Sequence, residues 1–252
     1  MKTVISFSLL LFVLSARAQK LNTEFGMGYT FMVPGGSMKH HIRNGHGLTG
    51  DYYVTPAGKR FAYGLELNYT QYGKEKTNQL YSFSDGTSAP MDIYVYNGIT
   101  SLALGVRYFL KEESTFRPFV TAKPGYSWFR TTLNIFDPDD TDHCAPVETD
   151  LLMKDGTFFL AGGTGFQYDI TRIFTREESN RLVLTMSVNV VLGGTVRYMN
   201  ADAPGHHHVT GDEVTTQFIN TQTQVIHRHH VGYVYQSGVQ MTDFRIGLIF
   251  RR

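Results

Sequence analysis

Several segments of this chain alternate between apolar and polar residues with a period of two. In residues 61–70 every second position is apolar or aromatic, and the positions between them are mostly small or polar. The same alternation runs through residues 24–33, 181–198 and 243–250. Successive side chains of a β-strand point to opposite sides, so the pattern predicts four strands that each have one apolar and one polar face.

Four weaker segments bring the predicted set to eight strands: residues 47–55, 93–109, 118–129 and 157–169. Pro118 and Pro124 weaken the third of these, because proline cannot donate a ladder hydrogen bond. The predicted connections alternate in length. Those at 56–59, 111–116 and 171–180 are short or moderate, and those at 34–46, 73–92, 130–156 and 200–236 are long. Bacterial barrels join their strands in this way, with short periplasmic turns and long outer loops.

The polar faces distinguish a membrane barrel from a soluble sandwich. They consist mainly of Gly, Ala, Ser, Thr and Asn, which suit the narrow interior of an eight-stranded barrel. The other faces are rich in Leu, Val, Phe and Tyr, and aromatic residues near the strand ends (Tyr69, Tyr108, Trp128 and Tyr198) fit the girdles found at membrane interfaces. The predicted fold is therefore all-β: an eight-stranded antiparallel transmembrane β-barrel with short periplasmic turns and long extracellular loops.

Charged residues also fall on the predicted inward faces. They are Glu24, Asp51, Glu66, Arg107, Lys123, Asp169, Arg197, Asp243 and Arg245. Isolated charges inside a barrel are costly, so we expect them to pair and to fill the lumen. The alternative is a charge-lined pore, which needs a wider barrel than eight strands provide.

The N-terminus predicts export. Residues 1–18 have an early lysine, an apolar run and the small-x-small sequence Ala16-Arg17-Ala18, which together indicate a cleavable signal peptide. The barrel domain is then predicted at residues 19–252, located in the outer membrane of a Gram-negative cell. Cys144 is the single cysteine, so no intramolecular disulfide can form, and a net charge of +1 gives no argument for a nucleic-acid partner.

With its predicted signal peptide, eight alternating strands, long outer loops and final strand 244–252 (FRIGLIFRR), the chain resembles small bacterial outer-membrane barrels of the OmpA, OmpX and PorT-like group. That resemblance implies a barrel embedded in the outer membrane. No peptidoglycan-binding domain is predicted after the barrel, so the resemblance does not imply the periplasmic tethering of the two-domain OmpA proteins. The predicted partners are outer-membrane lipid and lipopolysaccharide, and a larger outer-membrane protein complex.

The ten histidines all fall in the predicted outer loops or at their edges. Six lie in the fourth loop, and His206, His208, His227 and His229 form the candidate metal site, for zinc, copper or nickel. The alternative is that histidine is merely tolerated in polar loops. Because residues 225–240 regain β-branched and aromatic residues, we expect the last two strands to extend above the membrane as a hairpin.

The sequence contains no nucleophile in a recognisable catalytic setting and no phosphate-binding loop, so neither an enzymatic activity nor a cofactor is predicted. The predicted function is that of a structural or accessory barrel whose extracellular loops contact surface partners. The alternatives are passive passage of a small solute, metal binding by the outer loops, and a lipid-modifying enzyme.

Overall fold

The computed structural model describes residues 21–82, 87–111, 114–138, 146–171, 181–200, 212–220 and 225–252. It contains nine strands and one short 3-10 helix in this part of the chain. The strands are β1 (Leu21–Pro34), β2 (Gly45–Pro56), β3 (Phe61–Ser82), β4 (Ser88–Phe109), β5 (Phe116–Phe136), β6 (Glu148–Asp169), β7 (Arg181–Asn200), β8 (Asp212–Asn220) and β9 (Val225–Arg251). The helix spans Met38–His40. The predicted signal peptide lies outside the described residues.

Eight of these strands close into an antiparallel barrel, as the sequence predicts. Neighbours in sequence pair from β1 to β7, β7 pairs with β9, and β9 pairs with β1 to complete the ring. The closing pair runs from Glu24 opposite Arg251 to Pro34 opposite Met241. Closure leaves no open edge at membrane depth, where an unpaired backbone group could not bind water.

The predicted two-residue alternation is confirmed along the lower part of the barrel. Outward residues such as Phe25, Leu65, Leu104, Leu160 and Leu248 are exposed and form a continuous apolar belt. Polar residues at the alternate positions, such as Glu24, Glu66 and Asn68, are buried in the lumen. In the part of the chain that the structure describes, no helix has the length and apolar character needed to cross a membrane.

The strands continue well beyond the apolar belt, so the predicted long outer loops are only partly loops. β3 and β4 remain paired up to Ser82 and Ser88, and β5 pairs with β6 up to Ile135 and Glu148. β7 reaches Asn200 and β9 begins at Val225, which confirms that the last two strands extend. The tip strand β8 was not predicted. It pairs with β9 above the short β1–β2 hairpin.

Three β-bulges lie where strands leave the belt. They occur between Gln71 and Gly73, between Thr131 and Thr132, and between Leu192 and Thr195. A bulge adds a residue to one strand, and it bends and twists that strand. Above the last paired residues of β6 and β7, Phe159 and Gly193, the raised strands form two facing layers: β3–β4–β5–β6 and β7–β9–β8. We call this part the raised platform.

The bulge in β7 also corrects two predictions. Uniform alternation predicts that Arg197 points inward and that Tyr198 is a girdle residue. In the structure Arg197 is exposed and Tyr198 is completely buried, together with Val196. The extra residue at Gly193–Gly194 reverses the phase of every position that follows it on β7.

Candidate functional site

A network of ion pairs fills the middle of the lumen, as the inward charges predict. Glu66 Oε2 lies 2.8 Å from Lys123 Nζ and 2.5 Å from Arg245 Nη1, while Glu66 Oε1 accepts a hydrogen bond of 2.7 Å from Tyr53. Arg107 Nη2 lies 2.6 Å from Asp51 Oδ2 and 3.5 Å from Glu66 Oε1. These residues come from five strands, so the network ties opposite walls of the barrel together.

Nearer the periplasmic end of the lumen, the carboxylate of Glu24 pairs with a second group of cations. Glu24 lies 2.8 Å from Arg251 Nε and 3.7 Å from Arg117 Nη1, and it accepts a 2.9 Å hydrogen bond from Gln167. Arg107 Nη1 is 3.6 Å from Glu24, so the two halves of the network are connected.

Most of the predicted inward charges take part, but the sequence prediction has errors at both ends of the strands. Asp169 lies at the periplasmic end, where it accepts a hydrogen bond from the backbone of Thr171, and Arg197 points outward. Arg117, Gln167 and Arg251 were missed. Arg117 has the phase of Lys123 on β5, and Arg251 has the phase of Arg245 on β9, so extending each alternation to the strand end would have found both.

Above the ion pairs, an apolar cluster closes the lumen. We call it the upper plug. It includes Met32, Met38, Ile42, Tyr72, Ile99, Phe129, Val191, Val196, Tyr198, Tyr235, Val239 and Met241. Between the plug and Glu66, a recess leaves only about 20 Å³ for the centre of a water molecule, space for one or two waters. The interior is thus packed rather than open.

The connection between β1 and β2 folds inward and completes the plug. Met38 is fully buried, and the Gln240 backbone N–H approaches its sulfur at 3.4 Å. His41 stacks on Tyr235, with ring centroids 4.1 Å apart and planes 19° apart, and its backbone oxygen accepts a hydrogen bond from Asn200. We call residues 35–43 the lid.

The raised platform has a core of its own. Met91, Ile93 and Val95 of β4 and Leu133 and Ile135 of β5 pack against Met199 of β7 and Val234 of β9. Tyr72 connects the two layers, because its hydroxyl donates a 2.9 Å hydrogen bond to the Met199 backbone oxygen. The part of the molecule above the lipid is therefore a packed two-layer structure.

The four histidines of the candidate metal site remain untested. His206 and His208 lie outside the described residues. His227 and His229 lie on β9, where they pair in register with Phe218 and Thr216 of β8. Among the described residues there is no group of three His, Cys, Asp or Glu residues that could hold a metal ion.

The comparisons with known proteins concern the fold. No protein-family model and no curated protein matches this chain. Among solved structures, it is similar to Neisserial surface protein A, with 10% identity, coverage of 91% of this chain and 95% of that one, and a TM-score of 0.39. It is also similar to a major outer membrane protein of Thermus thermophilus, with 12% identity, coverage of 91% and 99%, and a TM-score of 0.38. The strand pairing itself establishes the fold, a closed antiparallel barrel of eight strands. The finer resemblance to the OmpA, OmpX and PorT-like group stays a prediction.

One further similarity corrects the prediction that the chain is not an enzyme. The outer membrane protease OmpT from Escherichia coli is also similar, with 11% identity, coverage of 92% of this chain and 96% of that one, and a TM-score of 0.30. That protein is a protease, so the prediction that this chain is not an enzyme does not stand. The sequence argument was unsound because catalytic groups are defined by their geometry and not by adjacency in sequence.

Proposed function

We propose that this chain is an outer-membrane barrel whose task is to hold the raised platform at the cell surface, where the platform binds a macromolecular partner. The observation that carries this proposal is the platform core. A barrel that only had to stay in the membrane could end its strands at the belt, whereas here β3 to β6 continue and bury a second apolar cluster. A rigid element presents a binding surface at a lower entropic cost than a flexible loop does.

The closed lumen supports this function over passage of a small solute. A solute would have to cross both the ion pairs around Glu66 and the upper plug. Breaking either of these layers carries a large free-energy cost, because one consists of buried paired charges and the other of close-packed apolar side chains. In this proposal the partner is a component of a larger outer-membrane complex or another surface protein.

Site-specific photocrosslinking in intact cells tests the proposal. A photoreactive residue is placed at Thr132, on the outer side of β5 in the platform, and at Gln236, which is exposed on β9. The control position is Lys59, which is exposed in the turn at the opposite end of the barrel. We expect a discrete crosslinked product of higher mass from at least one platform position and not from Lys59. Equal crosslinking at all three positions, or none in the platform, contradicts a platform partner.

A further inference from the structure

One side of the raised platform carries a cluster of cations and aromatic rings that the lumen and the platform core do not use. On the outer surface of the β3–β4–β5–β6 layer lie Lys74 and Lys76 of β3, Tyr94 and Tyr96 of β4, Arg130 of β5 and Lys154 of β6. We call these six residues the basic face. The four cations are exposed. The two residues that flank Arg130, Phe129 and Thr131, are buried, so Arg130 points outward.

Arg130 and Lys154 lie directly opposite each other in the β5–β6 pair. Like charges at such positions destabilise a sheet, because the two Cβ atoms are only about 5 Å apart. Within the described chain neither cation forms an ion pair. The adjacent carboxylate of Asp155 instead accepts hydrogen bonds from the backbone N–H groups of Gly156 and Arg197. An anion bound between Arg130 and Lys154 would relieve this repulsion.

The two lysines of the basic face are held by aromatic rings. Lys74 Nζ lies 5.1 Å from the centroid of Tyr94 and 5.5 Å from that of Tyr96, and the two rings stack at an angle of 10°. Lys76 lies over Tyr94 and pairs with Asp92 at 2.8 Å. The hydrogen bond with Asp92 raises the pKa of Lys76, so this lysine is charged at neutral pH. Asp92 is the one carboxylate among the described residues on this side of β4, which leaves the basic face with a net positive charge.

The basic face begins just above the lipid belt. Trp128 and Tyr126 are outward aromatic residues that pack together at the upper end of the belt, with ring centroids 4.9 Å apart. Arg130 follows Trp128 by two residues, which is about 7 Å along a strand. The polar head-group region of a bilayer extends roughly 5 to 8 Å beyond the hydrocarbon on each side. The guanidinium of Arg130 is therefore at the height of the head groups, and Lys74 and Lys76 lie farther out.

We propose that the basic face binds the phosphorylated head groups of the glycolipid in the surrounding outer leaflet. Arg130 and Lys154 share one phosphate at the base of the face, and Lys74 and Lys76 contact negatively charged groups farther from the membrane. Charge complementarity supports this occupant, because paired cations at head-group height face a leaflet of anionic lipid. Arginine adds bidentate hydrogen bonds to phosphate oxygens. This inference is independent of a protein partner on the rest of the platform.

The test compares the full barrel, purified in mild detergent, with and without lipopolysaccharide. The double variant Arg130→Gln/Lys154→Gln is measured beside Lys59→Gln/Lys111→Gln, which removes two exposed charges at the opposite end. We expect the first variant to lose about tenfold or more in affinity for lipopolysaccharide, the loss of one or two charge-assisted contacts, and the second to bind like wild type. Dephosphorylated lipopolysaccharide should bind wild type as weakly as intact lipid binds the first variant.

Thermal unfolding supplies a second readout that separates lipid binding from a folding defect. Without lipid, Arg130→Gln/Lys154→Gln should unfold at the same temperature as wild type or a higher one, because a like-charge contact is gone. With lipopolysaccharide, wild type should gain stability and the variant should not. Equal stabilisation of both proteins overturns the proposal, as does equal binding of the dephosphorylated lipid. So does inorganic phosphate alone, if it reproduces the wild-type gain at the same concentration.

Discussion

Glu66 is the residue at which the lumen network converges. Its two oxygens contact Lys123, Arg245 and Tyr53, and Arg107 lies 3.5 Å away. Removing one partner of a buried ion pair costs more than the pair contributes, because the remaining charges stay buried without compensation. A substitution of Glu66 by an apolar residue therefore lowers the free energy of unfolding mainly because Lys123, Arg245 and Arg107 lose a carboxylate partner.

We expect Glu66→Leu to lower the free energy of unfolding by roughly 3 to 5 kcal/mol. The measurement is urea unfolding in lipid vesicles, read by the difference in gel migration between folded and boiled barrel. Asp243→Asn is the matched control, because among the described residues Asp243 pairs with one cation, Arg245, at 3.2 Å. It should cost clearly less than Glu66→Leu. Equal costs would mean that Glu66 is not the centre of the network.

His41 couples the lid to pH. Its ring stacks on Tyr235 and lies near Tyr198, and it neighbours His40. Burial, and then the neighbouring charge of His40, lower the pKa of His41 from its ordinary value. Because the folded pKa lies below the unfolded one, the lid is fully stabilised above about pH 6.5 and loses stability as the pH falls below that value.

Hydrogen exchange tests this behaviour. After correction for the intrinsic pH dependence of exchange, the amides of His41 and Ile42, which donate to the Met38 backbone oxygen, should lose protection between pH 7.5 and 5.5. The control is His41→Phe, which keeps an aromatic ring on Tyr235 but does not titrate in this range. Its lid should be equally protected at both pH values. A pH-dependent loss in this variant would assign the effect to other groups.

At the level of strands, the sequence predicts the fold well inside the lipid belt and less well above it. Within the belt the two environments are lipid and lumen, so a period of two identifies each strand and its phase. Above the belt the outer side meets water, and the contrast between the two faces weakens. On β3 the outward residues inside the belt include Leu65 and Leu67, whereas the outward residues above the belt are Lys74 and Lys76. The raised parts of the strands therefore resemble polar loops in sequence.

Bulges explain the remaining errors of phase. A bulge depends on local backbone geometry, and the pair Gly193–Gly194 is compatible with either a regular strand or a bulge. The sequence predicts that ion pairs form in the lumen, because most of the charged residues fall on the inward faces of the strands. The sequence does not predict which charges pair with each other. Residues far apart in sequence, such as Glu66 and Arg245, meet only because of the register between the strands of the closed barrel.

Substitutions at two successive positions beyond the β7 bulge check this phase reversal. Val196 is buried in the upper plug, so Val196→Asp places an unpaired carboxylate in an apolar cluster and should destabilise the barrel by several kcal/mol. Arg197→Asp should change stability by less than about 0.5 kcal/mol, because the side chain is exposed. For both variants, the measurement is the temperature at which the compact form of the barrel disappears from detergent gels. Uniform alternation predicts the opposite order.

The tip formed by β8 and the start of β9 is expected to be dispensable for the barrel. Closure uses β9 from Tyr233 onward against β7 and from Met241 onward against β1, so deleting residues 201–228 leaves these pairs intact. The shortened protein should still migrate as a compact form before boiling. Zinc calorimetry on it, on wild type and on a variant lacking His206, His208, His227 and His229 then tests the metal site. Equal, weak binding by all three would remove the metal hypothesis.

As a whole molecule, the protein closes its lumen twice. The ion pairs around Glu66 and Glu24 form one layer, and the upper plug with the lid forms the next. The two layers use different physical interactions and lie at different heights. Opening one of them alone leaves the other in place, so the two closures should act in series.

Planar-bilayer recordings test closure in series. Wild type should show no stable conductance of porin size. Replacing Met38 and Ile42 by serine loosens the lid. Replacing Glu66 and Lys123 together by alanine removes the ion pairs that Glu66 makes with Lys123, Arg245 and Arg107, without changing the net charge of the lumen. We expect each of these variants alone to remain closed, because either layer blocks ions. The combined variant should conduct measurably more, provided that its heat-dependent gel shift shows that it is folded. A large conductance in wild type would instead favour passage of a small solute, and conductance in a single variant would show that one layer carries the whole barrier.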